Sequence, residues 1–289
     1  GYVFSKGFID ATTQYFNNQH GIFSSLNTFA LSSLGLDNTD GQINAQALAI
    51  NTQGKTLDNT RGKLLATHAF DLKSGELINE NGKIISDGNL DILSLALNNR
   101  WGWIQGKSLS MDTQGQKLSN PDTYKKEQKE MTSGIISHGL STLKTGEFDN
   151  QRGRLYATGA FDATTAYFDN RYGVINADAN AIFNSLGFNN QYGIVSTLSN
   201  TTFKLQQTIL DNNDGVIESS GQLTTISGQI NNRRGKLFGK QALDMTSLAF
   251  DNQGGLIKSE QATTIDTQGQ TLINADSGSE GGIHSGSIL

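Results

Sequence analysis

The sequence has no cysteine and one proline, Pro121. The first absence excludes disulfides, thiolate metal sites and cysteine nucleophiles, so packing and hydrogen bonds alone must hold the chain. Histidine is scarce: His20, His68, His138 and His284 lie far apart, with no H-x-x-x-H or H-E-x-x-H spacing. Basic charge is not in excess. The net charge is −5 and the isoelectric point near 5.4, so the footprint of a nucleic-acid binder is missing. No apolar run approaches the ~18 residues that a membrane-spanning helix needs. Residues 1–15 lack the charged start and continuous apolar stretch of a signal peptide. No glycine-rich phosphate loop is present, and no cofactor is expected.

What is present is a repeat. Its clearest copies are FDNQRGRLYATGAFDATTAY at residues 148–167 and FDNRYGVINADANAIFNSLG directly after it. One asparagine marks each unit: Asn18, Asn38, Asn59, Asn79, Asn99, Asn120, Asn150, Asn170, Asn190, Asn212, Asn232, Asn252 and Asn274. The spacing is 20–22 residues except for one gap of 30 after Asn120. All but Asn120 and Asn274 have glycine three positions later, from Gly21 to Gly255. A large apolar residue stands two before each asparagine, and another two after each glycine. The gap marks an insertion near residues 121–133, after which the pattern is expected to resume at Gly134 and Ile136. Residues 1–18 align without gaps on residues 153–170, so Gly1 takes the turn-glycine place of a coil.

Apolar and polar residues alternate over three to five positions within each unit, which means short strands. The Asn-x-x-Gly segment is turn chemistry, because asparagine and glycine both tolerate positive φ. The only helix candidate is one or two turns around Tyr124 to Met131. Units of about 20 residues with short strands and fixed turns stack as coils. The predicted fold is all-β: a right-handed parallel β-helix, or β-solenoid, of about fourteen coils with one insertion loop. The expected organisation is coils over residues 1–118, a coil with the insertion over 119–147, and further coils over 148–289. Stacking turns the repeated asparagines into a ladder along the axis. A propeller needs repeats about twice as long, and leucine-rich and calcium-binding nonapeptide patterns are absent.

The recurring L-D-N-x-x-G-x-I and F-D-N-x-x-G-x-L units resemble the haemagglutinin repeats of two-partner-secretion exoproteins. That group includes filamentous haemagglutinin adhesins and contact-dependent growth inhibition effectors of the CdiA type. The resemblance covers nearly the whole chain, with the insertion as its main departure. It implies a β-helical filament exported through an outer-membrane two-partner-secretion transporter and displayed at the bacterial surface.

The aspartates that precede the ladder asparagine, such as Asp37, Asp149 and Asp251, exchange with Asn, Ser and Ile elsewhere, as turn residues do. A catalytic carboxylate pair would instead be local and singular. No enzyme activity is expected, with a β-helix polysaccharide lyase or hydrolase as the third-ranked possibility. The two positions after the asparagine vary most. Stacking would put Tyr172 and Tyr192 on neighbouring coils near Arg152 and Arg171. Trp101 and Trp103 precede the insertion, which contributes Tyr124, Lys125 and Lys126. Exposed aromatics with arginine are typical of binding hot spots. These residues are the candidate partner-binding patch, with ordinary turn decoration as the competing reading. The expected partner is an outer-membrane protein or lipopolysaccharide of a target bacterium, or alternatively a host glycan or matrix.

Overall fold

The computed structural model describes residues 1–125, 131–276, 281–284 and 287–288. Lys126 and most of the helix candidate fall outside these residues, and no helix occurs among the described ones. The chain forms two compact units, Gly1–Asp149 and Asn150–Leu289. Both are built from parallel coils of three short strands, and the fold is the expected right-handed parallel β-helix.

In the first unit a representative coil comprises Lys63–Ala66, Phe70–Lys73 and Glu76–Ile78. Each strand pairs in register with its counterpart one coil on: Lys63 with Lys83, Phe70 with Leu90, Leu77 with Leu97. In the second unit the coil of Lys236–Gly239, Ala242–Thr246 and Ala249–Asp251 stacks in the same way on Leu256–Ser259 and Ala262–Asp266. Successive side chains alternate between interior and surface. Ile43, Leu64, Ile84 and Ile104 therefore form one fully buried column, and Leu155, Ile175, Val195 and Ile217 form its equivalent in the second unit. The second unit also buries a run of rings, with Phe183 stacked on Phe203 at 4.8 Å and 9°. Gly1 does occupy the turn-glycine place, since Ile22 N–H donates to its carbonyl as Lys63 N–H does to that of Gly41.

The uneven spacing has a local cause. A plain coil turns its second corner with a short Ser-Gly step, as at Ser74 and Gly75. Four coils replace that step with a two-residue turn closed by an i to i+3 bond: Thr52 to Lys55, Thr113 to Gln116, Leu205 to Thr208 and Thr267 to Gln270. The central residues of these turns have positive φ, for example Gln53 at 50° and Gly54 at 77°, as a type I′ turn requires. Such a corner adds two residues. The coils after Asn190 and Asn252 are accordingly 22 residues long. Those after Asn38 and Asn99 shorten their first corner by one residue, giving 21.

One register expectation is corrected after the insertion. Gly134 pairs with Trp103 rather than with the turn glycine Gly102, so Ser133 holds the glycine's place. The interior position opposite Ile104 is filled by Ile135, and Ile136 is also buried.

Candidate recognition surface

Each Asn-x-x-Gly segment is a β-turn in which the glycine N–H donates to the asparagine carbonyl, as from Gly62 to Asn59 at 2.9 Å. The turns stack, and the asparagine side chains key them together. Within the first unit, Asn18, Asn38, Asn59, Asn79 and Asn99 each donate from Nδ2 to Oδ1 of the next ladder asparagine at 2.7 Å, ending on Asn120. Within the second unit Asn150, Asn170, Asn190, Asn212 and Asn232 do the same at 2.7 Å, and Asn252 reaches Asn274 at 2.8 Å. The ladder is buried, Asn18 being the most exposed of these donors at 5%. A buried amide must be satisfied on both sides, which explains why the position does not vary.

The turn chemistry differs from expectation in one respect. Positive φ falls neither on the ladder asparagine nor on the glycine after it. It falls on the second variable residue between them: His20, Asp40, Arg61, Asn81 and Trp101 at 52–55°, and Arg152, Tyr172, Tyr192, Asp214 and Arg234 at 50–57°. The glycine is required for space instead. A Cβ on Gly173 would lie 2.3 Å from the Asn150 carbonyl oxygen and 2.5 Å from Asn170 Oδ1. Where the residue before the asparagine is Asp or Asn it commonly caps the turn, because its side chain accepts the N–H two positions on. Asp37 accepts from Thr39 at 2.9 Å and Asp58 from Thr60 at 2.8 Å.

The left-handed residues form an exposed column on each unit, and several bind one another. Arg61 makes a bidentate pair with Asp40, at 2.8 and 2.7 Å, and that hydrogen bonding holds the Asp40 carboxyl below its usual range. Arg234 grips Asp214 in the same way at 2.7 Å, lowering that carboxyl too, with Tyr192 as a lesser hydrogen-bond contributor. Tyr172 and Tyr192 stack at 4.9 Å with their rings 5° from parallel, and both are about half exposed.

Of the anticipated residues, Tyr172 and Tyr192 therefore meet directly. The Arg152 backbone N–H donates to the Arg171 carbonyl at 3.0 Å, and the Arg171 side chain is held by Asp169 at 2.7 Å. On the first unit Arg100 lies over the Trp101 ring at 4.1 Å and bonds Asp122 at 3.1 Å. Trp103 is on a strand, not in the turn column; its Nε1 donates to Gln105 Oε1 at 3.2 Å, with Lys83 over the ring at 5.1 Å. Tyr124 and Lys125 stand in the insertion just beyond Asp122.

One cluster was missed. Asp71 and Asp91 occupy the same register on neighbouring coils and, with Lys73, Ser110 and Asp112, line a shallow 140 Å³ depression. Partial burial, and then the Asp71 charge, raise the Asp91 carboxyl above its ordinary value. The two aspartates, 20 residues apart in F-D-L and L-D-I strands, are the signal that could have found it. Among the described residues no group of three or more His, Cys, Asp or Glu is placed to hold a metal ion.

A parallel solenoid keyed by a buried amide ladder, with one exposed and variable residue per turn, is a filament module that displays side chains along a line. The chain belongs to the haemagglutinin-repeat family, whose model matches residues 6–57, 54–100, 132–232 and 219–277. Proteins of that family are typically secreted or cell-surface filamentous proteins, in which the repeats form an adhesin or rod. The matched stretches leave out residues 101–131, which include Trp101, Trp103, Tyr124 and Lys125. No curated protein and no solved structure matched the chain.

Proposed function

We propose that this chain is a rod segment of a contact-dependent growth inhibition exoprotein of the CdiA type. It would leave the cell through a two-partner-secretion transporter and remain associated with the outer membrane. Its turn columns contribute to recognising an outer-membrane protein or lipopolysaccharide on a target bacterium before toxin delivery.

The observation that carries the recognition part is conformational. A left-handed backbone costs a non-glycine residue roughly 1–2 kcal/mol, and asparagine or aspartate tolerates it best. The column nevertheless holds Trp101, Tyr172, Tyr192, Arg152 and Arg234 at that conformation. Strain retained on exposed aromatics and arginines is characteristic of functional positions. Residue types of this kind are poor spacers and good anchors.

Binding of the labelled chain to outer-membrane vesicles from Gram-negative bacteria, and to eukaryotic cells, tests the reading. Vesicle binding is expected, with a loss of about 10-fold or more when residues 121–133 are deleted and Tyr172 and Tyr192 are changed to Ala. Binding to eukaryotic cells alone would make the segment a host-directed adhesin. Unchanged binding by the altered chain would remove the assigned surface.

A further inference from the structure

Tyr172 and Tyr192 are the only two tyrosines of the chain that stand one coil period, 20 residues, apart. Both take the left-handed turn position, with φ of 57° and 56°. Each lies two residues before a strand, and those strands pair in register, Val174 with Ile194. The same backbone conformation at the same register points both side chains the same way. Their rings stack at 4.9 Å, 5° from parallel, and are 53% and 52% exposed. The ring carbons beside one hydroxyl therefore face their counterparts on the other ring, and small oxidants in water reach both. The next residue in the column is Asp214, a carboxylate kept in its charged form by Arg234, and Tyr192 also contributes hydrogen bonding to it. A base is thus at hand for a proton leaving the Tyr192 hydroxyl. No cysteine exists to form a cross-link or to intercept a radical.

We propose that Tyr172 and Tyr192 form a modification site, where one-electron oxidation joins them as an intramolecular dityrosine that staples two neighbouring coils of the second unit. The co-reactant is hydrogen peroxide, turned over by a haem peroxidase from outside this chain. Each phenol gives up one electron and its hydroxyl proton, the peroxide is reduced to two waters, and two phenoxyl radicals result. The radicals pair through one ring carbon beside each oxygen, forming one C–C bond. The hydrogens on those two carbons then pass through solvent to the oxygens, and both phenols are restored. Two tyrosines and one hydrogen peroxide thus give one dityrosine and two waters. The paired coils hold the two backbones in place, so the exposed side chains need only close the gap between the rings. The new bond restricts the unfolded chain as a disulfide does. The reaction is independent of which partner the turn columns recognise.

The test treats the whole chain, kept dilute, with hydrogen peroxide and a haem peroxidase. The monomer is expected to lose two hydrogens in mass and to gain the blue fluorescence of dityrosine. Cleavage before Asp178 separates Tyr172 from Tyr192, so two peptides that stay joined identify the bond. Tyr192→Phe keeps a ring that can stack but has no phenol, and it should abolish the monomer product. Tyr156→Phe, on a strand of the same unit, should leave the product unchanged. The treated parent should melt about 2 °C or more above Tyr192→Phe treated alike, which sets aside oxidation elsewhere. No joined peptides from the monomer, a product found only between molecules or spread over other tyrosine pairs, an undiminished product from Tyr192→Phe, or no gain in melting temperature would overturn the proposal.

Discussion

Gly62 passes so close to Asn38 on the preceding coil that a Cβ on it would sit 2.2 Å from the Asn38 carbonyl oxygen. The obstacle is backbone in a hydrogen-bonded stack, so it cannot swing aside. Gly62→Ala is expected to destabilise the first unit by ~2–4 kcal/mol, in the range of severe packing errors. Gly54 makes the opposite control. It has φ 77° and open space around its Cβ position, so Gly54→Ala meets only the left-handed penalty of roughly 1–2 kcal/mol. Urea melts of the two variants should rank them in that order.

Among the described residues, the corner at Leu205 to Thr208 is the one two-residue turn of its kind without glycine. Gln206 and Gln207 hold φ of 45° and 65°, where the matching second positions are Gly54, Gly115 and Gly269. Relief of ~1–2 kcal/mol of left-handed strain, set against ~0.5–1 kcal/mol of extra chain entropy for glycine, leaves a small gain. Gln207→Gly should therefore raise the melting temperature of the chain by a few degrees. A lower melting temperature would mean that the glutamine side chain contributes more than its backbone costs.

Two carboxylates are expected to respond oppositely to pH. Asp91 has a raised value in the folded chain, from burial first and Asp71 second. Its favourable contribution is complete below the unfolded value near ~3.9 and disappears as pH rises through the folded value. Asp91→Asn should accordingly be more stable than the parent near neutral pH, with the difference vanishing near pH ~3. Asp214 has a lowered value, chiefly from its Arg234 hydrogen bonds. Its contribution is present above the unfolded value and lost as pH falls through the folded one. Asp214→Asn should be modestly less stable at neutral pH and equal to the parent in acid. Thermal melts across the acid range check both signs.

The coil period, the parallel stacking and the asparagine ladder were legible because a solenoid repeats its constraints at equal intervals. Asn170 must match Asn150 and Asn190, and so the sequence shows it. The Tyr172–Tyr192 stack followed from the same register. The seat of positive φ was not legible, because its usual markers stand on either side of the residue that adopts it. Asparagine is there for the buried amide bond and glycine for the close carbonyl, while Trp101 or Arg234 takes the strained conformation. The step from Gly134 to Ile135 was misplaced by one residue because Ser133 replaces the marker glycine. The Asp71–Asp91 pair was not legible because an outward strand position accepts many polar residues and carries no marker of its own.

The central claim is a division of labour inside each turn: asparagine and glycine hold the coils together, and the residues between them are free to display chemistry. Alanine substitution at each position of one turn, Asn170, Arg171, Tyr172 and Gly173, followed by urea denaturation, tests it most directly. Asn170→Ala removes the ladder partner of both Asn150 Nδ2 and Asn190 Oδ1, and Gly173→Ala drives a Cβ to 2.3 Å from the Asn150 backbone carbonyl oxygen. Each should lose ~2 kcal/mol or more. Arg171→Ala takes a part-exposed guanidinium from the buried Asp169 carboxylate, which still accepts the backbone N–H at position 171, and Tyr172→Ala removes an exposed ring stack, so each should lose less than Asn170→Ala and Gly173→Ala do. A flat profile across the four, or larger losses at Arg171 and Tyr172 than at Asn170 and Gly173, would contradict the account.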